Sequence, residues 1–186
     1  MGPAAPYEQA IASTRSVMAN IEPDQLQNST PCESWNVAEL INHMVGGQKF
    51  FAAGLKGEQP SEGENWAEGD YLAAFDQASA ETLACFQEDG VMEKSFTLPF
   101  GEMPGAAFMG LAMTDTFQHG WDLAKATGQS TDLAPDLAGA ILDQSRHSIQ
   151  EGFRGADGQA PFGAEQQCAD GSCNADQLAA FLGREA

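Results

Sequence analysis

The sequence predicts an all-α fold, a bundle of four or five helices with one small extended insertion. Apolar residues recur at intervals of three and four along several stretches, and segments rich in Pro and Gly separate those stretches. One segment, residues 91–100, instead alternates weakly, as a strand does. With 186 residues, 42% of them hydrophobic, we expect a single domain over residues 1–186 with a sizeable core.

Apolar spacing and capping residues predict the first three helices. The first helix covers about residues 5–20. Asn36 and Glu39 form an N-cap and N3 pair, so a second helix begins there and extends to about Leu55. A surface loop rich in Gly, Pro and Glu follows at residues 55–70, and a third helix spans about residues 71–87.

The extended segment precedes the fourth helix. Residues 91–100 are predicted as a short strand, which Pro99 restricts to the edge of a sheet. Residues 101–105, with the sequence GEMPG, are predicted as a turn. The fourth helix then begins with Pro104 in its first turn and stops at Gly128, a residue typical of the position after a helix.

The remainder of the chain is predicted to add two helices. A fifth helix covers about residues 135–151, residues 152–174 are mostly loop, and a short helix at residues 175–183 follows. The sequence contains no internal repeat.

The charge balance excludes two classes of partner. The chain carries 8 Lys and Arg against 27 Asp and Glu, a net charge of −19, with the acids spread along its length. Such a surface repels nucleic acid and anionic membranes, so we expect neither as a partner. No apolar run is long enough to span a membrane, and the N-terminus has no signal-peptide pattern, so we expect a cytoplasmic protein, monomeric or homodimeric.

The four cysteines show no CxxC spacing of the kind found in zinc ribbons and redox motifs. For a cytoplasmic chain all four are therefore predicted to be thiols. A disulfide between Cys168 and Cys173 is the alternative.

Three polar residues in the fourth helix provide the strongest functional signal. Asp115, His119 and Asp122 are spaced i, i+4, i+7, which places them on one helix face. Carboxylates and imidazoles are costly to bury unless they are paired or bound to a metal. The trio therefore predicts half of a metal or catalytic site, because it interrupts an apolar stripe formed by Phe108, Leu111, Ala112, Leu123 and Ala126.

His43, near the apolar face of the second helix, is the candidate for the other half. His43, Asp115 and His119 would supply two nitrogens and one oxygen from facing helices, a set that suits zinc and other divalent metals. The spacing alone leaves open that Asp115 and His119 form an ordinary hydrogen-bonded pair and that His43 is a packing residue. His147 lies off its helix's apolar stripe and is predicted to be a surface residue.

Asp122 has two interpretations. It would serve the chemistry by orienting an imidazole or by receiving a proton. Alternatively, it is an acid near the end of a helix that bonds to a neighbouring backbone group or Trp.

Other residues near these segments are predicted to be structural. Trp35 is interpreted as a packing residue, whereas Trp121 is left open between packing and lining a pocket. Cys32 precedes His43 by eleven residues, about three helical turns, and is judged too distant to take part. Arg154 is assigned to a surface ion pair rather than to a substrate carboxylate.

Two segments resemble a known family. TPCESWNVAELINHMVGG, at residues 30–47, resembles the second-helix signature of the mycothiol-dependent maleylpyruvate isomerase N-terminal family, part of the DinB-like metalloprotein superfamily. GEMPGAAFMG and TDTFQHGWDLAKATGQ, within residues 101–129, resemble its fourth helix, and AFLGRE at residues 180–185 resembles the end of its short members. The likeness implies a DinB-like four-helix bundle with short extra segments and a C-terminal helix.

The resemblance also implies a chemistry. His43, Asp115 and His119 match the family's metal ligands, with Asp115 where the isomerase has Glu. It implies a divalent metal, with zinc favoured over nickel, iron or manganese, and a low-molecular-weight thiol such as mycothiol as cosubstrate. We therefore expect a short single-domain thiol S-transferase or isomerase acting on a small electrophile. The alternatives are a non-catalytic metal-binding or regulatory protein and a metal-dependent hydrolase or lyase.

Overall fold

The structure, a computed structural model, describes residues 2–60, 63–156 and 159–186. The predicted loops at 55–70 and 152–174 each include two residues outside the described ones. Within the described ranges the chain is mostly helical, with one two-stranded antiparallel sheet, so the all-α prediction is correct for the helices but incomplete. The helices are α1 (Ala5–Met18), α2 (Val37–Lys56), α3 (Tyr71–Phe86), α4 (Gly105–Ala126), α5 (Pro135–Ser148) and α6 (Asn174–Phe181).

The first four helices pack around a common core. α1 lies against α4 and α3, and α2 lies against α3 and α4, so each helix has two neighbours in the group. α5 packs on α6, and this pair covers α1 and α4 from outside. No helix within the described residues is both long and apolar enough to cross a membrane. The packing places α2 directly beside α4, which is the arrangement that the predicted site requires.

Local signals define the ends of α2. The Asn36 side chain accepts a hydrogen bond from the Glu39 backbone N–H, and the Glu39 side chain accepts one from the Asn36 N–H, so the predicted capping pair is present. Gly57 ends the helix in the left-handed conformation with φ of 71°, which glycine adopts without steric cost. The sequence of α2 therefore fixes where the helix begins and ends, and hence which face of the helix carries His43.

The extended insertion is a hairpin of β1 (Ser95–Leu98) and β2 (Gly101–Pro104). The turn predicted at residues 101–105 is wrong, because residues 101–104 pair with β1 and the reversal occurs at Pro99 and Phe100. Closely spaced Pro and Gly residues are typical of turns. Here Gly101 and Pro104 lie in β2, and the two residues before β2 form the turn instead.

The start of α4 is anchored to the segment before the hairpin. Pro104 lies just before the helix rather than in its first turn, and Gly105 is the first helical residue. The Gly105 N–H donates to the Lys94 carbonyl at 2.8 Å. A Cβ on Gly105 would lie only 2.0 Å from the Val91 carbonyl oxygen, so the close approach requires glycine here.

Two side chains are largely buried, although the sequence left the role of one open and predicted the other to lie at the surface. Trp121 has no exposed surface, and its indole N–H donates to Asp176 at 2.9 Å, so it is a packing residue. The Arg154 side chain is 8% exposed and donates to the carbonyls of Gly163 and Phe181, each at 2.8 Å. The ion pair predicted for Arg154 is present, since its Nε lies 4.0 Å from the exposed Glu151 carboxylate, but the guanidinium is not at the surface and also holds the C-terminal segment together.

A buried polar network links α1, α2, α3 and α4. The Tyr7 hydroxyl donates to the Gln48 side chain, whose amide donates to the Thr116 hydroxyl at 2.7 Å. The Thr82 hydroxyl donates to the Gln48 carbonyl at 2.7 Å. The Thr14 hydroxyl donates to the Thr116 carbonyl at 2.8 Å. Because buried polar groups are costly when unpaired, this network restricts the four helices to one relative arrangement.

α1 approaches α4 tightly at Gly120, and we predict that Gly120→Ala destabilises the fold. A Cβ there would lie 2.3 Å from the Thr14 hydroxyl oxygen and 3.2 Å from the Thr14 Cα. The two helices would have to separate, at a cost of about 1–3 kcal/mol in the free energy of unfolding. Urea denaturation followed by circular dichroism measures this difference.

Gly152→Ala is the matched control, because a Cβ on Gly152 meets nothing within 4 Å and should change stability by less than about 0.5 kcal/mol. Equal stability of the two variants would contradict a tight α1–α4 contact.

Candidate metal centre

α2 and α4 bring the three predicted ligands together. The Asp115 carboxylate lies between two imidazoles, with its Oδ1 atom 3.7 Å from His43 Nε2 and 3.5 Å from His119 Nε2. The two imidazole rings are nearly perpendicular, with centroids 4.8 Å apart. One atom from each of the three side chains therefore points to a common centre, as the helical spacing requires.

The spacing of these atoms fits a divalent cation. All three donor atoms lie within 4.8 Å of one another. Ligands about 2.0–2.1 Å from a tetrahedral metal lie roughly 3.3–3.4 Å apart, close to the two measured separations. The Nε2 atom of His43 is shielded from solvent and has no hydrogen-bond partner among the described residues. A buried nitrogen without a partner is unfavourable, and a bound cation would satisfy it.

Asp122 determines the tautomer of His119. Its Oδ2 atom lies 3.0 Å from His119 Nδ1, and its side chain has no exposed surface. Burial raises the pKa of Asp122, but the hydrogen bond from His119 and the charge of Arg184 lower it below its ordinary value. An ionised carboxylate only accepts hydrogen bonds, so Nδ1 of His119 must donate. Nε2 of His119 then faces Asp115 and His43, where it can bind either a proton or a cation.

Opposing effects act on the pKa values of Asp115 and His119. Burial alone would raise the pKa of Asp115, but the charge of His119 and the proximity of both imidazoles lower it. Burial alone would lower the pKa of His119, but Asp115 and Asp122 raise it well above its ordinary value. The two carboxylates therefore favour a positive charge at His119, which either a proton or a cation would provide.

Cys32 lies beside this site, so the prediction that it is too distant is wrong. Its thiol donates to Asp122 Oδ2 at 3.3 Å and lies 3.8 Å from His119 Nδ1. The prediction assumed that α2 extends back to Cys32, whereas α2 begins at Val37. The Trp35 N–H donates to the Cys32 carbonyl at 2.9 Å in a turn that folds the segment back towards α4. Cys32, His119 and Asp122 form a second group of possible metal ligands.

Arg184 is a site residue that sequence reasoning missed. Its Nε donates to Asp122 Oδ1 at 3.1 Å, and its Nη2 donates to Asp122 Oδ2 at 3.3 Å and to Cys32 Sγ at 3.1 Å. The one signal in the sequence was that Arg184 is one of only eight basic residues in a chain of net charge −19, where a cation is a natural partner for a buried acid. Arg184 neutralises a buried carboxylate and ties the C-terminal residues to α4.

The other aromatic and histidine predictions have different outcomes. Trp35 packs, as expected, but it packs on the candidate ligands themselves. Its ring stacks on His43 with centroids 4.3 Å apart and meets His119 edge-on at 5.9 Å. His147 is exposed, and its Nδ1 lies 2.6 Å from the Asp143 carbonyl oxygen, in agreement with a surface role. All four cysteines are free thiols, as predicted.

One side of the site is open and the other is closed. The side chains of His43 and Asp115 are 34% and 26% exposed and border a cleft of about 470 Å³. His119, in contrast, is 10% exposed, and Asp122 behind it is fully buried. A small molecule could therefore reach the site from the cleft without disturbing the contacts that orient His119.

The fold and site together define a mostly helical protein with a potential metal-binding group between facing helices. The sequence model of the mycothiol maleylpyruvate isomerase N-terminal domain matches residues 7–124. The chain therefore belongs to this family, which confirms the resemblance seen in the sequence. The matched segment contains His43, Asp115, His119 and Asp122, whereas Arg184 lies outside it.

Two relatives are similar to this chain along almost its whole length. Two uncharacterized proteins, from two strains of Mycobacterium tuberculosis, are each 41% identical over 184 residues. Each match covers 99% of this chain and 98% of the relative. No solved structure matches the chain significantly.

We predict that Asp122→Asn weakens metal binding by about 10–100-fold, because His119 loses the carboxylate that holds its tautomer and orientation. A competition titration of zinc against a chromophoric chelator measures the affinity. Asp176→Asn is the control, since Asp176 accepts a hydrogen bond from Trp121 away from the three proposed ligands. Unchanged affinity in the Asp122 variant would show that Asp122 does not support the site.

Proposed function

We propose that this chain is a DinB-like divalent-metal-binding enzyme that uses a low-molecular-weight thiol, such as mycothiol, as cosubstrate in a transfer or isomerisation on a small electrophile. His43, Asp115 and His119 are the proposed ligands, and zinc is the favoured metal. The observation that carries the proposal is the convergence of their donor atoms, with the buried Nε2 of His43 left without a partner among the described residues. Membership of a mycothiol-related family supports the choice of thiol.

The donor set suits catalysis better than a purely structural role. Three protein ligands leave coordination positions open, whereas structural zinc sites use four. A divalent cation bound there would supply a Lewis acid that lowers the pKa of a coordinating thiol. The cleft beside His43 and Asp115 gives the thiol and the electrophile access to those positions.

The surrounding residues have positioning roles in this proposal. Trp35 restricts the His43 ring by stacking on it. Of the two roles considered for Asp122, the contacts support orienting His119 over receiving a proton. Asp122 already accepts hydrogen bonds from four side chains and is closed to solvent; the donors are His119, Cys32, Gln118 and Arg184.

Metal analysis tests the ligand set. Protein purified without a histidine tag should contain near-stoichiometric metal, and His43→Ala and His119→Ala should each lose it, because each removes one of three ligands. His147→Ala is the matched control, since this third histidine is exposed, and it should retain the metal. Full occupancy in the first two variants, measured by elemental analysis, would refute the ligand set.

Thiol consumption tests the chemistry. With mycothiol and 1-chloro-2,4-dinitrobenzene, the thiol sulfur would form a bond to the ring carbon, chloride would leave and the thiol proton would pass to solvent. We expect the metal-loaded protein to accelerate thiol loss above the metal-free protein. Bacillithiol and glutathione are the comparison thiols. Stoichiometric metal without acceleration across a panel of electrophiles would reject the transferase proposal in favour of a metal-binding protein without catalysis.

A further inference from the structure

The cleft beside the candidate metal centre has a largely apolar wall, which is formed mainly by residues at helical spacing on one face of α2. One face of α2 forms its floor through residues spaced i, i+3, i+4 and i+7, namely His43, Gly46, Gly47 and Phe50. α4 contributes Leu111 and Asp115 one turn apart, and the Trp66 ring also lines the cleft. With a volume of about 470 Å³, the cleft has the size of a small-molecule site.

The middle of α2 contains two consecutive glycines, Gly46 and Gly47, at positions where the surrounding atoms leave room for a Cβ. A Cβ on Gly46 would lie 3.5 Å from the Trp66 ring, and a Cβ on Gly47 would lie 3.6 Å from the Asp115 carboxylate, both ordinary contacts. Each glycine in a helix interior destabilises the helix relative to alanine. What the pair provides is open space, because the helix backbone itself becomes the floor of the cleft.

The charges at the cleft oppose anions. Apart from His43, the ionisable residues among its described lining are Glu64 and Asp115, and this lining includes no Lys or Arg. Lys49 is nearby but lies over the Trp66 ring, 5.0 Å from the ring centroid, and does not line the cleft. Away from the proposed metal ligands, where Phe50 and Trp66 line the cleft, a carboxylate would therefore lose its hydration beside aromatic rings, without a cationic side chain to compensate.

We propose that this cleft binds the electrophile as an uncharged apolar group, such as an aromatic ring, and discriminates against carboxylates. The assignment of the ligand as the electrophile rests on the proposed function, whereas the preference for uncharged apolar groups rests on the cleft alone. Gly46 and Gly47 are the residues that set the size of group admitted.

A matched pair of fluorescent probes tests this preference. N-Phenyl-1-naphthylamine is uncharged, and 8-anilino-1-naphthalenesulfonate has the same ring skeleton with one negative charge. We expect the full chain, with its metal removed by a chelator so that no bound cation attracts the sulfonate, to bind the uncharged probe about tenfold or more tightly than the sulfonate. Equal or tighter binding of the sulfonate would overturn the charge preference.

Two substitutions locate the binding. Gly46→Leu and Gly47→Leu should each weaken binding of the uncharged probe about tenfold or more, because an isobutyl group fills the floor of the cleft. Gly46→Leu lies beside Trp66 and so tests the cleft separately from the carboxylate near Gly47. Gly47→Ala is the size control and should bind nearly as well as the parent. Retained binding in both leucine variants, with helical circular dichroism intact, would refute the assignment.

The readouts separate this inference from the proposed function. Cleft-dependent binding of the uncharged probe, together with an absence of metal or of thiol consumption, would reject the function and retain the cleft. Metal-dependent thiol consumption that is equally fast with carboxylate-bearing and uncharged electrophiles, and unchanged by Gly46→Leu, would reject the cleft assignment and retain the function.

Discussion

The buried carboxylate of Asp122 is the constraint on which the rest of the site depends. It lies in α4 with no exposed surface, and an uncompensated charge in that position would be strongly destabilising. The compensating contacts come from three parts of the chain: His119 within α4, Cys32 before α2, and Arg184 near the C-terminus. Satisfying one carboxylate therefore fixes the path of two distant segments and the orientation of one proposed ligand.

Four consecutive residues of α4 each serve a different neighbour. His119 points to the candidate metal centre, Gly120 admits α1 at close range, Trp121 bonds to α6, and Asp122 receives Arg184. All four are buried, so this turn of α4 is surrounded on every side. The positions of the Asp122 carboxylate and the His119 imidazole therefore follow from the packing of the bundle, and little freedom remains for them to adjust.

The site is asymmetric, and the asymmetry suits a reaction. Behind His119, Asp122 and Cys32 contact the imidazole, and Arg184 in turn donates hydrogen bonds to both of them. In front, His43 and Asp115 border an apolar cleft floored by glycine backbone. Rigid positioning on one side and access on the other are what a site needs in order to hold a cation while exchanging small ligands.

The sequence by itself determined the helices and the three proposed ligands, because those features depend on short-range physics. Periodic apolar residues and the Asn36–Glu39 cap act within a few residues, and the spacing of Asp115 and His119 places both on one helix face whatever surrounds it. Only the tertiary structure decided how the irregular segments run. The turn at Pro99, the proximity of Cys32 and the contact between Arg184 and Asp122 depend on loop paths and on contacts between residues far apart in sequence, for which helical periodicity carries no signal.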